Sequence, residues 1–285
     1  SYADFELIIV DDGSVDDTFD VCKSYEAKDS RIKVIHKPNG GPFSARVAAY
    51  PEVSGDYVLH VDADDRLRKD ALESLKPIAE QEYYDVIFFE YSSSPDFSNM
   101  VKRFPFGCSR SFDSFEKTQY LNLALDTYCL HSMWSKAVKT QLLLNVSYPP
   151  EALRLVSGED HLQSLLLLDR AECAYYLMDA LYYYRDNIGS TTKSFRLDDY
   201  RDFMVKAGYF SRLLDKWKQL PGCGLSDDSF DSYVLLSSYR YLESAVKYGK
   251  SNDYAQAVSL VSSFGMFKKA IGNPAATRKL RKDMR

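Results

Sequence analysis

Residues 57 to 65, Tyr-Val-Leu-His-Val-Asp-Ala-Asp-Asp, form an apolar run that ends in three carboxylates, Asp62, Asp64 and Asp65. Read as a strand, the run places Asp62 and Asp64 on one face, because side chains two apart in extended backbone point the same way. Two acids aimed at one point repel unless a cation lies between them. Hard oxygen donors of this kind suit Mg²⁺ or Mn²⁺, which accept a few carboxylates and complete their shell with water and phosphate oxygens. The plainer reading is a polar strand end followed by a helix cap, and a lone D-x-D motif does not separate the two.

Other chemistry-bearing residues surround this stretch in sequence. Asp11 and Asp12 end a second apolar run, Phe5 to Val10, although Asp-Gly is also a turn signal by itself. Ser157-Gly158-Glu159-Asp160 brings two acids together just before an apolar segment, a spacing that also fits a capping box in which Asp160 only satisfies a helix terminus. Arg46 lies on a helix that the turn Asn39-Gly40-Gly41-Pro42 introduces. Trp134 is expected in the core as readily as on an acceptor platform, and Arg185 and Lys193 are cations able to meet phosphate. His131 and His161 lack metal-ligand spacing and are expected to be satisfied polar histidines.

The elements that must position these residues alternate. Strands are predicted over 5–10, 32–35, 57–62 and 85–89, with helices after Asp16 or Asp17, from about 43 to 50 and near 69–80. This pattern argues for an α/β layer with a mainly parallel sheet, which binds ligands at the carboxyl ends of its strands. Both acid clusters occupy such ends. Residues 92–112 read as a polar excursion, and Asp113 opens a helix through about Asp126. A compact segment follows over 129–146, then a helix over 162–168 and a strand pair between Cys173 and Arg185. From about Leu197 the pattern is helical, with caps such as Ser226, which divides the chain into 1–195 and a C-terminal region 196–285.

Composition bounds the class. With 285 residues, net charge −5, 27% charged and 45% hydrophobic residues, the chain suits one large or two modest globular domains and disfavours general nucleic-acid binding. Its 22 tyrosines and 16 phenylalanines mostly follow apolar patterns, so core packing is their expected role. Five scattered cysteines without C-x-x-C spacing suggest neither a disulfide framework nor zinc. No run approaches the ~18–20 apolar residues of a membrane span, and no signal peptide is recognised. The expected location is the cytoplasm. The last residues set Phe264, Met266 and Phe267 beside Lys268, Lys269, Arg278, Lys279, Arg281, Lys282 and Arg285. Such a segment fits peripheral contact with the inner face of an anionic membrane, a solvated basic tail being the alternative.

Taken together, Phe5-Glu-Leu-Ile-Ile-Val-Asp-Asp-Gly-Ser14, Asn39-Gly-Gly with Ala45-Arg46, and Gly55-Asp-Tyr-Val-Leu-His-Val-Asp-Ala-Asp-Asp65 resemble the nucleotide-sugar half of family-2 glycosyltransferases of GT-A fold. Trp134-Ser-Lys136, Gly158-Glu-Asp160 and Tyr182-Tyr-Tyr-Arg185 look like that family's acceptor-side motifs. The resemblance covers roughly 1–195.

It implies an inverting, metal-dependent transfer of a sugar from a nucleoside diphosphate, with UDP the expected nucleotide, to an acceptor hydroxyl in bacterial surface polysaccharide synthesis. By the same resemblance, Asp11 and Asp12 meet uracil and ribose, Arg46 walls the pocket, and Asp62 and Asp64 hold Mn²⁺ or Mg²⁺ and the sugar diphosphate. Trp134 and Arg185 join the donor site, and Asp160, with Glu159 as alternate, is the base. The partners are then a UDP-sugar donor and a saccharide or lipid-linked saccharide acceptor, and a homodimer is compatible.

Three departures stand out. The chain opens at what would be the family's second strand, so either it is a fragment of a longer protein or a sheet edge lacks its usual neighbour; Val47 stands where an amide is usual; and His161 inherits no role. A non-catalytic nucleotide-sugar-binding or scaffolding subunit is the alternative. A phosphoacceptor domain, suggested by Val10-Asp11-Asp12, fits the later acids poorly.

Overall fold

The computed structural model describes residues 2–125, 128–186 and 194–283. Its first strand, β1 (Leu7–Asp11), grows from the β-branched run and pairs in parallel with β2 (Ile32–His36), which sets Asp11 opposite His36. Helix α1 (Thr18–Glu26) connects them, and α2 (Gly41–Ala49) follows β2 with Pro42 in its first turn. The fixed φ of proline suits that position, and its missing N–H costs nothing there.

β1 and β2 form their own two-stranded sheet. A seven-stranded sheet runs in the order β3 (Tyr57–Leu59), β8 (Lys136–Lys139), β5 (Val86–Ser92), β9 (Ala174–Tyr183) and β4 (Arg66–Leu67). The short strands β6 (Met100–Val101) and β7 (Arg110–Phe112) pair with β5 and β9. Strand β5 is the hub. Val86, Ile87, Phe88 and Phe89 have no solvent exposure. Glu90, equally buried, accepts hydrogen bonds from the Arg103 and Phe104 amides and the Tyr176 hydroxyl, so its charge is not left unmet in the core.

The α/β class and mixed sheet agree with the sequence reading, but the balance of strand directions does not. Among the described residues β1–β2 and β5–β9 are parallel, while β3–β8, β5–β8, β4–β9, β5–β6 and β7–β9 are antiparallel. Segment 129–146, expected only as a compact piece, supplies β8 between β3 and β5. Periodicity reveals that a stretch is a strand, not which way its neighbour runs. The pair expected between Cys173 and Arg185 is instead one ten-residue strand, whose pairing with β5 shifts register on either side of Glu90. That irregularity absorbs the local break in pattern without a turn.

The chain divides into two compact units, Ser1–Lys117 with Tyr128–Arg185, and Thr118–Thr127 with Asp186–Arg285. The helical unit therefore begins at 186 rather than 196 and takes in a segment from the middle of the chain. The Thr118 hydroxyl donates to the Pro221 carbonyl, and Asn122 bonds both the Gly222 carbonyl and the Gly224 amide. The helix opened by Asp113 is short, α4 (Lys117–Leu121) and one further 3₁₀ turn.

The helical unit holds α7 (Asp199–Trp217), α8 (Asp227–Tyr248), α9 (Asp253–Ser263), α10 (Gly265–Ile271) and α11 (Pro274–Asp283). Tyr200, Phe203, Ala207, Phe210, Leu214 and Trp217 make the buried stripe of α7 at helical spacing. Ser226 and Ser229 cap α8 reciprocally, as its sequence suggested. Among the described residues no helix is long and apolar enough to cross a membrane.

If β5 is the hub, Phe88→Ala leaves an unfilled space at the centre of the first unit. The expected loss is about 3–5 kcal/mol in urea denaturation followed by Trp134 fluorescence; a loss below ~1 kcal/mol would contradict the placement.

Candidate active site

At the end of β1 the two acids are spent in different ways. Asp11 has no side-chain exposure. Its Oδ2 lies 2.6 Å from His36 Nδ1, across the β1–β2 pairing, and its Oδ1 accepts from the Ser14 amide. Ser14, then His36, holds the carboxyl below its usual range. Asp12 accepts from the Gly40 amide at 3.0 Å and the Gly41 amide at 2.7 Å, and pairs with Lys37. A carboxylate against these N–H groups stabilises the start of α2. Gly13 makes the approach possible: at φ +78 it passes so near the next loop that a Cβ would sit 2.7 Å from the Asn39 nitrogen. Both carboxylates expected to meet a nucleotide thus have partners within the chain, and Asp11 is enclosed.

The aspartate stretch departs from the extended geometry read from sequence. β3 stops at Leu59, and residues 62–65 make a turn closed by the Asp65 amide on the Asp62 carbonyl at 3.0 Å. Asp62 and Asp64 therefore do not share a face through strand alternation. Acids favour turns because their side chains compete for nearby amides, and the strand's apolar pattern gave no warning of that.

The Tyr182 hydroxyl pins the turn, accepting from the Asp62 amide at 3.1 Å and donating to Asp65 Oδ2 at 2.7 Å. The Arg185 amide donates to Asp65 Oδ1, while the Arg185 side chain is exposed. Trp134 stacks on Tyr182 with centroids 4.6 Å apart, and the Arg103 guanidinium lies 4.7 Å from the Trp134 ring. At 8% exposure Trp134 offers no open face to a sugar. Its place is in the core that holds Tyr182.

Helix α6 (Glu159–Arg170) starts after Gly158, which adopts φ 72 and is the N-cap. Glu159 and Asp160 thus occupy the first helical turn instead of capping it. Arg46, on α2 and only 12% exposed, is the cation between the acid groups: it is ion-paired to Asp160, 3.8 Å from Glu159 and 3.6 Å from Asp62. Three segments far apart in sequence meet on one guanidinium. The Met133 amide lies 3.5 Å from the other Asp160 oxygen.

The electrostatics follow from this crowding. Withdrawal from water, then the Asp160 charge, pushes Asp62 up to about 6 against the pull of Arg46. The same two causes push Glu159 up to about 7. Lys136 is fully buried and pushed down to about 7 by desolvation, with Asp160 opposing; its Nζ reaches the Leu130 and Ser132 carbonyls. Burial likewise holds His60 neutral, down to about 3. Its Nε2 lies 3.1 Å from the Tyr50 hydroxyl, which also accepts from Gln163 on α6.

Sequence reasoning missed His60, Tyr50 and Gln163, and it placed Lys136 and Tyr182 within motifs without giving either a role of its own. The one signal for His60 and Lys136 was a polar residue within an apolar strand pattern. Lys193 lies outside the described residues. His131 and His161 are stacked with centroids 3.6 Å apart, and His161 is 2% exposed.

Among the described residues no three His, Cys, Asp or Glu side chains gather into a metal cage. A divalent ion that takes one or two carboxylates and otherwise phosphate and water needs no such cage. The surplus of charge here fits one: Asp62, Asp64, Asp65, Glu159 and Asp160 outnumber Arg46, Lys136 and Arg185, and the Asp160 charge is, after desolvation, the next cause that raises Asp62.

Comparison with known proteins bears on the family and the fold. The family model described as Glycosyl transferase family 2 matches residues 1–138. Glycosyltransferase GlyA of Streptococcus pneumoniae is 30% identical over 199 residues, 68% of this chain and 28% of that protein. Uncharacterized glycosyltransferase EpsJ of Bacillus subtilis is 30% identical over 194 residues, 67% of this chain and 55% of that protein. The chain thus spans about a quarter to about half the length of these curated relatives. The crystal structure of Staphylococcus aureus TarS 1-349 in complex with UDP-GlcNAc superposes with a TM-score of 0.63 at 22% identity, covering 91% of this chain and 71% of that one. That likeness fixes the fold as GT-A. With the D-x-D turn, the Gly-Gly-Arg helix and the Glu-Asp pair assembled around Arg46, the chain belongs, through residues 1–138, to glycosyl transferase family 2.

Proposed function

We propose that this chain transfers a sugar from a nucleoside-diphosphate sugar, with UDP as the nucleotide, to a hydroxyl of a saccharide or lipid-linked saccharide, with inversion at the anomeric carbon, in the synthesis of a surface polysaccharide. The observation that carries the reading is Arg46, which joins the aspartate turn to the Glu-Asp pair. The turn is the donor side and the pair is the acceptor side. The UDP-GlcNAc held by TarS supports a nucleotide-sugar donor.

In this reading Asp160 accepts the proton of the acceptor hydroxyl as its oxygen attacks the anomeric carbon. The bond from that carbon to the diphosphate oxygen breaks on the opposite face, and the electron pair leaves with the diphosphate. Arg46 orients the Asp160 carboxylate and ties it to the aspartate turn through Asp62. Tyr182 keeps Asp62 and Asp65 in place, so the turn is organised before substrate arrives. Mn²⁺ or Mg²⁺, held by Asp64 with Asp62 assisting directly or through water, would offset charge on the departing diphosphate. Lys136 supports the site by holding the Leu130 and Ser132 carbonyls beneath Asp160.

Three outcomes test the reading. Asp160→Asn removes the proton acceptor while keeping the shape; it is expected to bind UDP as the parent does in calorimetry and to lose about 10²–10⁴ in turnover with a UDP-sugar and acceptor. Turnover near the parent's would refute the base assignment. Asp64→Ala is expected to abolish the Mn²⁺-dependent part of UDP binding, and unchanged metal-dependent heat would remove Asp64 from the metal site. The third outcome concerns stability. Because Glu159 holds its proton more tightly folded than unfolded, its contribution is present below the ordinary range near 4.5 and is lost as pH rises through about 7. Glu159→Gln should therefore match the parent in thermal melts at pH 4 and exceed it by about 1–3 kcal/mol at pH 8; equal stability at both would contradict the crowding.

A further inference from the structure

We infer that the helical unit carries a binding surface for the anionic headgroups of a lipid bilayer, formed by α10 and α11. From 264 to 282 the sequence holds six cations, Lys268, Lys269, Arg278, Lys279, Arg281 and Lys282, and no Asp or Glu, although the whole chain has a net charge of −5. All six are exposed.

The two helices are amphipathic. On α11, Ala276, Thr277 and Leu280 turn inward, while Ala275, Arg278, Lys279, Arg281 and Lys282 face water. On α10, Ala270 is buried and Ile271 is 56% exposed beside the two lysines. On the α8 side, Asp231 lies 3.9 Å from Lys269, and Asn273 bonds both Asp228 and Asp231.

Charge alone would suit any polyanion. What favours a bilayer is the apolar groove among these cations, lined by Leu235, Tyr239, Leu242, Phe267, Ile271 and Leu280. Phe267 adjoins Lys268, and Leu280 lies between Lys279 and Arg281 in sequence. Lipids present anionic headgroups next to acyl chains, and an apolar groove bordered by cations suits that combination. A soluble polyanion has no use for the groove. Among the described residues no helix is long and apolar enough to cross a membrane, and the proposed contact lies along the bilayer surface.

The experiment is co-sedimentation of the full chain with vesicles of phosphatidylcholine alone, or with roughly one-third phosphatidylglycerol, at low and high salt. Binding is expected only to the anionic vesicles and is expected to weaken with salt. A variant combining Lys268→Glu, Arg278→Glu and Lys282→Glu should lose about fivefold per altered charge or more. Ile271→Ser, at an exposed position, should weaken vesicle binding while leaving retention on heparin unchanged. Circular dichroism confirms that both variants are folded. Failure to bind anionic vesicles, equal binding to neutral ones, or full binding by the triple variant overturns the inference. If Ile271→Ser leaves vesicle binding intact, the surface is a polyanion site and not a lipid site.

Discussion

The site depends on one ion-pair cluster in which a single guanidinium is shared by carboxylates from two other segments. Arg46 is nearly buried, and Asp62, Glu159 and Asp160 reach it from a loop and a helix that are almost a hundred residues apart. A buried charge is costly unless opposite charge surrounds it, and crowded carboxylates are costly unless a cation sits among them. Each element therefore requires the others. Asp62 and Glu159 are raised first by withdrawal from water and then by the Asp160 charge, and Arg46 offsets this only in part. A site left with surplus negative charge is suited to a divalent ion and an anionic donor arriving together.

Around that cluster, backbone groups are used as fixed points. Asp12 gathers the Gly40 and Gly41 amides and so sets the start of α2, the helix that delivers Arg46. Tyr182 fixes the aspartate turn from β9, with Trp134 and Arg103 stacked behind it. The buried chain from His60 through Tyr50 to Gln163 links the end of β3, the end of α2 and α6 by uncharged hydrogen bonds. Neutral groups suit this position, because additional ions would disturb the balance around Arg46. The helical unit follows a different logic, with an aromatic stripe on α7 as its core and its cations concentrated on the last two helices.

The sequence by itself determined much of this protein. Apolar runs ending in acids located β1 and β3, Asn39-Gly-Gly-Pro located the start of α2, and Ser226 located the start of α8, because strand alternation, turn chemistry and capping are local properties. Asp62 and Asp64 stood out by type and spacing, whereas Arg46, Glu159 and Asp160 drew their expected roles from the family resemblance. Tertiary structure decided how they are used. Strand order and direction were not legible, since β8 enters between β3 and β5 from a segment with no signature of its partners. The turn at 62–65 replaced the expected strand end because Tyr182, 117 residues beyond Asp65, holds it there. Trp134 and Asp11 were withdrawn from solvent by neighbours brought from afar. The helix cap is Gly158 and not Asp160, and only packing α2 against α6 brings Asp160 to Arg46. Local sequence sets local conformation, whereas burial and charge pairing depend on which distant segments become neighbours.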